Sequence, residues 1–107
     1  SYRVLDTSKF EDGTNSLTKV IHLDAGKAIS YHLHHHHSEI WTCIAGEGAF
    51  VLDRECRDIK RGDVMNIPVG LLHAIKATTD LTFIEVQIGN QLVEEDIVRF
   101  EWKWNDF

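Results

Sequence analysis

Short apolar runs recur along the whole chain, each closed by turn residues. "SLTKVIHL" (16–23) runs into "DAGKA", "EIWTCIA" (39–45) stops at "GEG", and "AFVLD" (49–53) stops at "RECR". "DVMNIPVG" (63–70) follows "KRGD", and "LHAIKAT" (72–78), "LTFIEVQI" (81–88) and "DIVRFEW" (96–102) come after it. Runs of this length and spacing, rich in β-branched and aromatic residues, predict seven or more antiparallel strands in a sandwich or barrel. No window of twelve residues sustains a helical period, and "NQLVEED" (90–96) is the one place where a helical turn is expected. Pro68 and Gly70 predict a tight turn between two strands.

Alternation also sorts side chains by face. In "EIWTCIA", Glu39, Trp41 and Cys43 share one face, which points inward. In "LTFIEVQI", Phe83, Glu85 and Gln87 share one face and Ile84, Val86 and Ile88 the other. The apolar set argues for Glu85 outside, and a barrel with a polar mouth argues for Glu85 inside, so its direction stays open. The tail "RFEWKWNDF" puts Phe100, Trp102 and Trp104 at alternate positions. Three large apolar groups on one edge predict packing across the barrel or against a second copy, and a homodimer is expected.

At 107 residues the chain is expected to be one domain, 1–107. A net charge of −6 without a Lys/Arg cluster argues against a nucleic-acid partner. No apolar run is long enough to span a bilayer, and "SYRVLDTSKF" lacks a signal-peptide pattern, so a cytoplasmic protein is expected. Cys43 and Cys56 are then read as free thiols.

Chemistry concentrates in "YHLHHHHSEIW" (31–41), which holds five of the seven histidines. If "SYHLH" is extended, His32 and His34 face the same way. Glu39 could reach the same point after a short turn, and His73 after the Pro68–Gly70 turn. Three imidazoles and a carboxylate would make a half-open site for one divalent transition metal (Mn, Fe, Co, Ni or Zn). His36 joins that face only if the strand continues through it. His35, His36 and His37 are read as outer members of the cluster, and His22 as a solvated surface residue.

Two spacings carry a resemblance. Gly26, His32, His34, Glu39 and Gly46 fall at the fixed positions of the first cupin motif, and Gly62, Pro68, Gly70 and His73 at those of the second. The second motif usually closes with Asn, where this chain has Ala77. The resemblance implies a small antiparallel jelly-roll barrel, all-β, with the metal at its mouth. "SYHLHHHHSEIW", "IPVGLLHAI", "FIEVQIG" and "EEDIVRFE" narrow it to the cupin domain of type II phosphomannose isomerases, here in a stand-alone version. That branch usually carries Gln at the position of His32 and Arg at that of His37.

The implied function is metal-dependent aldose–ketose isomerisation of a sugar phosphate, such as mannose 6-phosphate to fructose 6-phosphate, through a cis-enediol. Glu85, His36 and His37 are the candidate bases. Lys76 and Arg99 are candidates for a phosphate contact, a solvated surface charge being the simpler reading of each. The competing readings are an Fe(II) oxygenase-type cupin and a non-catalytic module that binds a sugar or small effector.

Overall fold

The computed structural model describes residues 1–92 and 96–100. Ten strands are β1 (Tyr2–Lys9), β2 (Asn15–Leu23), β3 (Ala28–Leu33), β4 (His37–Ala45), β5 (Glu47–Leu52), β6 (Glu55–Lys60), β7 (Val64–Ile67), β8 (His73–Ala77), β9 (Leu81–Gly89) and β10 (Val98–Arg99). Among the described residues they form two five-stranded sheets, ordered β1-β2-β9-β4-β7 and β10-β3-β8-β5-β6. Every pairing is antiparallel. The all-β expectation is met, and no helix occurs among the described residues.

One strand goes beyond those expected, and two local expectations need correction. "SYRVLDTSKF" contributes a full edge strand, β1, although its residues are mostly exposed and its pattern is weak. "RECR" is not a turn: the reversal lies at Asp53 and Arg54, and Glu55 onward pairs with β5 as β6. Its charged side chains are tolerated because one face of β6 meets water, with Ile59 alone buried. Of "DIVRFEW", the described residues 96–100 contribute the two-residue β10, paired to β3 at Arg99↔His32. The central part of "NQLVEED", and Trp102 and Trp104, lie outside the described residues.

The core is built by alternation. On β4 the inward side chains are His37, Glu39, Trp41 and Cys43, and on β9 Leu81, Phe83, Glu85 and Gln87. Trp41 stacks within 4.9 Å of Phe83 and 5.7 Å of Phe50, with Met65, Ile75 and Leu81 fully buried around them. Register then decides where polar groups gather. Cys43 pairs with Phe83, Trp41 with Glu85 and Glu39 with Gln87. On β8 the inward series runs Ala77, Ile75, His73 in the same direction. Each strand is thus apolar toward one end of the barrel and polar toward the other. Gly46 allows the β4–β5 connection to close under that apolar end: its φ is +90°, and a Cβ there would lie 2.0 Å from the Asp80 carbonyl. Cys43 is buried and Cys56 exposed, both as free thiols.

Candidate metal centre

Three imidazoles reach the polar end from three directions. His32 is the penultimate residue of β3, His34 follows the end of that strand, and His73 opens β8 after the Pro68–Gly70 turn. The same turn supports His34, because the Gly70 N–H donates to the His34 carbonyl at 2.8 Å. Each ring is oriented through Nδ1. His32 Nδ1 lies 2.5 Å from Ser30 O, His34 Nδ1 2.6 Å from Asp96 O, and His73 Nδ1 2.9 Å from Leu71 O. A carbonyl can only accept, so all three Nδ1 atoms carry the proton. In the neutral rings of His32 and His73 the Nε2 lone pair is then free, while His34 Nε2 donates to Glu39 and would give up that proton to a metal.

The three rings offer ligand atoms within 4.8 Å of one another, and His34, His37 and Glu39 form a second such group. His73 Nε2 is buried without a hydrogen-bond partner, 3.9 Å from Glu39 Oε1. An orphaned buried acceptor beside a carboxylate is costly unless a cation fills the gap. This residue set fits a divalent transition metal.

Glu39 sits at the centre. Its Oε1 accepts from the Trp41 indole N–H at 2.8 Å. Its Oε2 lies 2.9 Å from His34 Nε2 and 2.8 Å from His37 Nε2. Burial pushes the Glu39 carboxyl up, but hydrogen bonds from His34 and His37 and the nearby His73 outweigh burial and hold it well below the usual range. Burial works against charge on His34 too, yet Glu39 prevails and raises that imidazole. Burial lowers His32, and it lowers His73 to about 4. His73 is therefore a neutral ring at ordinary pH, as a ligand must be.

Glu85 lies inside, 6% exposed, on the wall beside the cluster. The question left open by alternation is answered by the neighbours: the outer face of β9 carries the half-buried Ile84, Val86 and Ile88. Burial and the charge of Glu39 raise the Glu85 carboxyl to about 7, although Gln87 donates to its Oε1 at 2.5 Å. Two carboxylates in one cleft with separated pKa values can take different roles: one stays ionised as a ligand while the other exchanges a proton.

The cleft has a volume of about 680 Å³ and is lined by His32, His34, His37, Glu39 and Glu85 on its polar side. Tyr2, Val4, Leu17, Leu92 and Ile97 make an apolar rim, with Lys19 and Arg99 as its cations. His37 belongs here because β4 starts at His37 and places it on the face of Glu39. His36 does not: β3 ends at Leu33, the chain bends, and the His36 side chain is exposed outside the cleft. His35 is exposed as well. Lys76 is also displaced from the site, sharing the outer face of β8 with Ala74, opposite His73. Arg99 does reach the rim.

Three participants were missed by sequence reasoning. Lys19 alternates with Leu17 and Ile21, so its inward direction was readable from "SLTKVIHL". Gln87 was placed with Glu85 but given no role. Asp96 carried no local signal, because its partners lie about sixty residues away in the chain.

A double-stranded antiparallel barrel with a histidine–glutamate cluster at its polar end defines a cupin. The chain belongs to the family described as "Mannose-6-phosphate isomerase C-terminal", whose model matches residues 1–102. It is 32% identical over 91 residues to "Mannose-1-phosphate guanylyltransferase ManC" of Salmonella typhimurium, covering 83% of this chain and 19% of that protein. The chain thus spans about a fifth of the length of that relative, whose name is that of a guanylyltransferase and not of an isomerase. Among solved structures, an uncharacterized Klebsiella pneumoniae protein with a double-stranded β-helix domain superposes with TM-score 0.78 at 21% identity, covering 95% of this chain and 84% of that one. A provisionally named sugar phosphate isomerase from Acidithiobacillus ferrooxidans superposes with TM-score 0.65 at 23% identity, covering 72% and 51%. These likenesses establish the fold.

Proposed function

We propose that this cupin domain is a metal-dependent isomerase of a sugar phosphate, with mannose 6-phosphate and fructose 6-phosphate as the first pair to test. The observation that carries this reading is the pairing of a low-pKa Glu39 among three Nε2-presenting imidazoles with a Glu85 poised near 7 on the adjoining wall. Membership of the mannose-6-phosphate isomerase C-terminal family supports the substrate class.

His32, His34, Glu39 and His73 would hold one divalent transition metal. When bound, it would supply Lewis-acid polarisation of the substrate's carbonyl or hydroxyl oxygen. Glu85 takes the proton from the carbon beside the carbonyl and returns it to the former carbonyl carbon, while the hydroxyl proton passes to the former carbonyl oxygen by way of solvent, and a pKa near 7 suits both directions. Gln87 holds Glu85 by its Oε1, leaving the other oxygen for the proton. Trp41 and His37 orient Glu39. His37 supplies no permanent cation where the branch usually has Arg, so Arg99 and Lys19 on the rim are the groups that meet a phosphate.

The test is untagged purification without nickel resin, elemental analysis, and a coupled assay for fructose 6-phosphate. We expect bound metal and metal-dependent turnover, with both lost in His34→Ala. In Glu85→Gln the metal should stay and kcat fall by about 10²–10⁴-fold. Bound metal without turnover would sink the isomerase reading. Oxygen uptake by the Fe(II)-loaded protein would then favour an oxygenase, the second reading that a three-histidine, one-carboxylate set permits.

A further inference from the structure

Asp96 is a buried carboxylate, 7% exposed, in the segment that leads into β10. Among the described residues, its partners are groups of the histidine turn and not a lysine or arginine. Oδ1 accepts the His35 backbone N–H at 2.8 Å and Oδ2 the His36 backbone N–H at 2.8 Å. Its own carbonyl accepts His34 Nδ1–H at 2.6 Å, and Oδ2 lies 3.7 Å from His37 Nδ1. One residue thus touches all four members of the 34–37 turn, across about sixty residues of sequence.

The need for such a residue follows from the strand ends. β3 stops at Leu33 and β4 begins at His37, so the N–H groups of His35 and His36 have no ladder partner. A carboxylate takes both with charge-assisted bonds, roughly twice as strong as neutral ones. The same residue's carbonyl fixes the proton of His34 on Nδ1 and aims Nε2 at Glu39.

We propose that Asp96 is a positioning residue that clamps the histidine turn and thereby sets the metal affinity of the centre. This rests on reading His32, His34, Glu39 and His73 as metal ligands. Without the carboxylate the His35 and His36 N–H groups lose their acceptors and the turn is free to open, which loosens the hold of the Asp96 carbonyl on His34 as the two segments part. Outer partners of metal-bound histidines, when removed, weaken metal binding by about 10–100-fold.

The experiment titrates chelator-treated protein with Co²⁺, followed by visible absorption, for the wild type, Asp96→Ala and Asp96→Asn. Asn keeps the volume but only one acceptor oxygen, so a purely packing role would leave its affinity unchanged. We expect both variants to bind Co²⁺ about 10–100-fold more weakly, with a shifted absorption band. Ile59→Ala, a core truncation on β6, should lower the melting temperature while leaving the Co²⁺ affinity and band intact. Backbone amide exchange at His35 and His36 in the metal-free protein reads the clamp separately, and should quicken in Asp96→Ala. Wild-type affinity and band in both Asp96 variants would overturn the proposal. A wild type that binds no Co²⁺ would overturn the metal reading and the affinity claim together, whereas faster exchange at His35 and His36 in Asp96→Ala would still establish the clamp. Unchanged exchange would remove the clamp itself.

Discussion

At the polar end burial sets the direction of titration for His32, His73 and Glu85, while hydrogen bonds and charge override it at Glu39 and His34. Glu85 shows the consequence for stability. Its carboxyl rises from 4.5 to about 7 on folding, because burial and Glu39 both oppose its charge. Between those values the folded chain keeps a proton that the unfolded chain has released, so stability falls as pH rises through that window. In metal-free protein, Glu85→Gln should therefore melt higher than wild type at pH 8, with the difference vanishing near pH 4.5. A melting curve series across pH checks this, and an equal offset at all pH values would refute it. His73 has the opposite sign. Its value drops to about 4 from 6.5, so its contribution is present above pH 6.5 and is lost as pH falls toward 4.

Strands matter through their ends and their register. Gly89 closes β9 opposite His37. A Cβ there would lie 2.5 Å from the His36 carbonyl and 2.9 Å from His37 Cβ, so the histidine turn would have to move. Gly89→Ala is expected to cost about 1–3 kcal/mol of unfolding free energy, by denaturant titration, and to weaken metal retention as well. An alanine variant with unchanged stability would mean that the β4–β9 pair gives way easily at this end. Trp41 links core to site in the same way, with its ring 5.4 Å from His73 and its N–H on Glu39.

For the molecule as a whole, β1 is an edge strand of its sheet that carries exposed apolar groups on and just beyond it. Tyr2, Val4, Leu5 and Phe10 are between 45% and 59% exposed, and Tyr2 and Val4 also face the cleft rim. An edge strand with that much exposed apolar surface is a place for a second copy to pair. We expect a homodimer by sedimentation, with Val4→Glu shifting it toward monomer and leaving the barrel folded. A wild-type chain that sediments as a monomer at micromolar concentration would rule this out.

Much of the fold and of the cluster was readable from local pattern. Period-two alternation named most strands, and the spacing of His32, His34, Glu39 and His73 placed these four candidate ligands beside turns, because strand geometry is local. His37 as an inward residue followed once β4 was known to begin there. The direction of Glu85 was not readable, since both faces of β9 carry apolar residues and only the packing of Trp41 and Phe83 tells which is inside. The places of Asp96, Lys19 and Arg99 at the cleft and its histidine turn depend on antiparallel register and on a chain return of some sixty residues. Hydrogen bonds and electrostatic fields act through space, so local periodicity specifies the strands, while their pairing assembles the polar end and shifts its carboxyl groups.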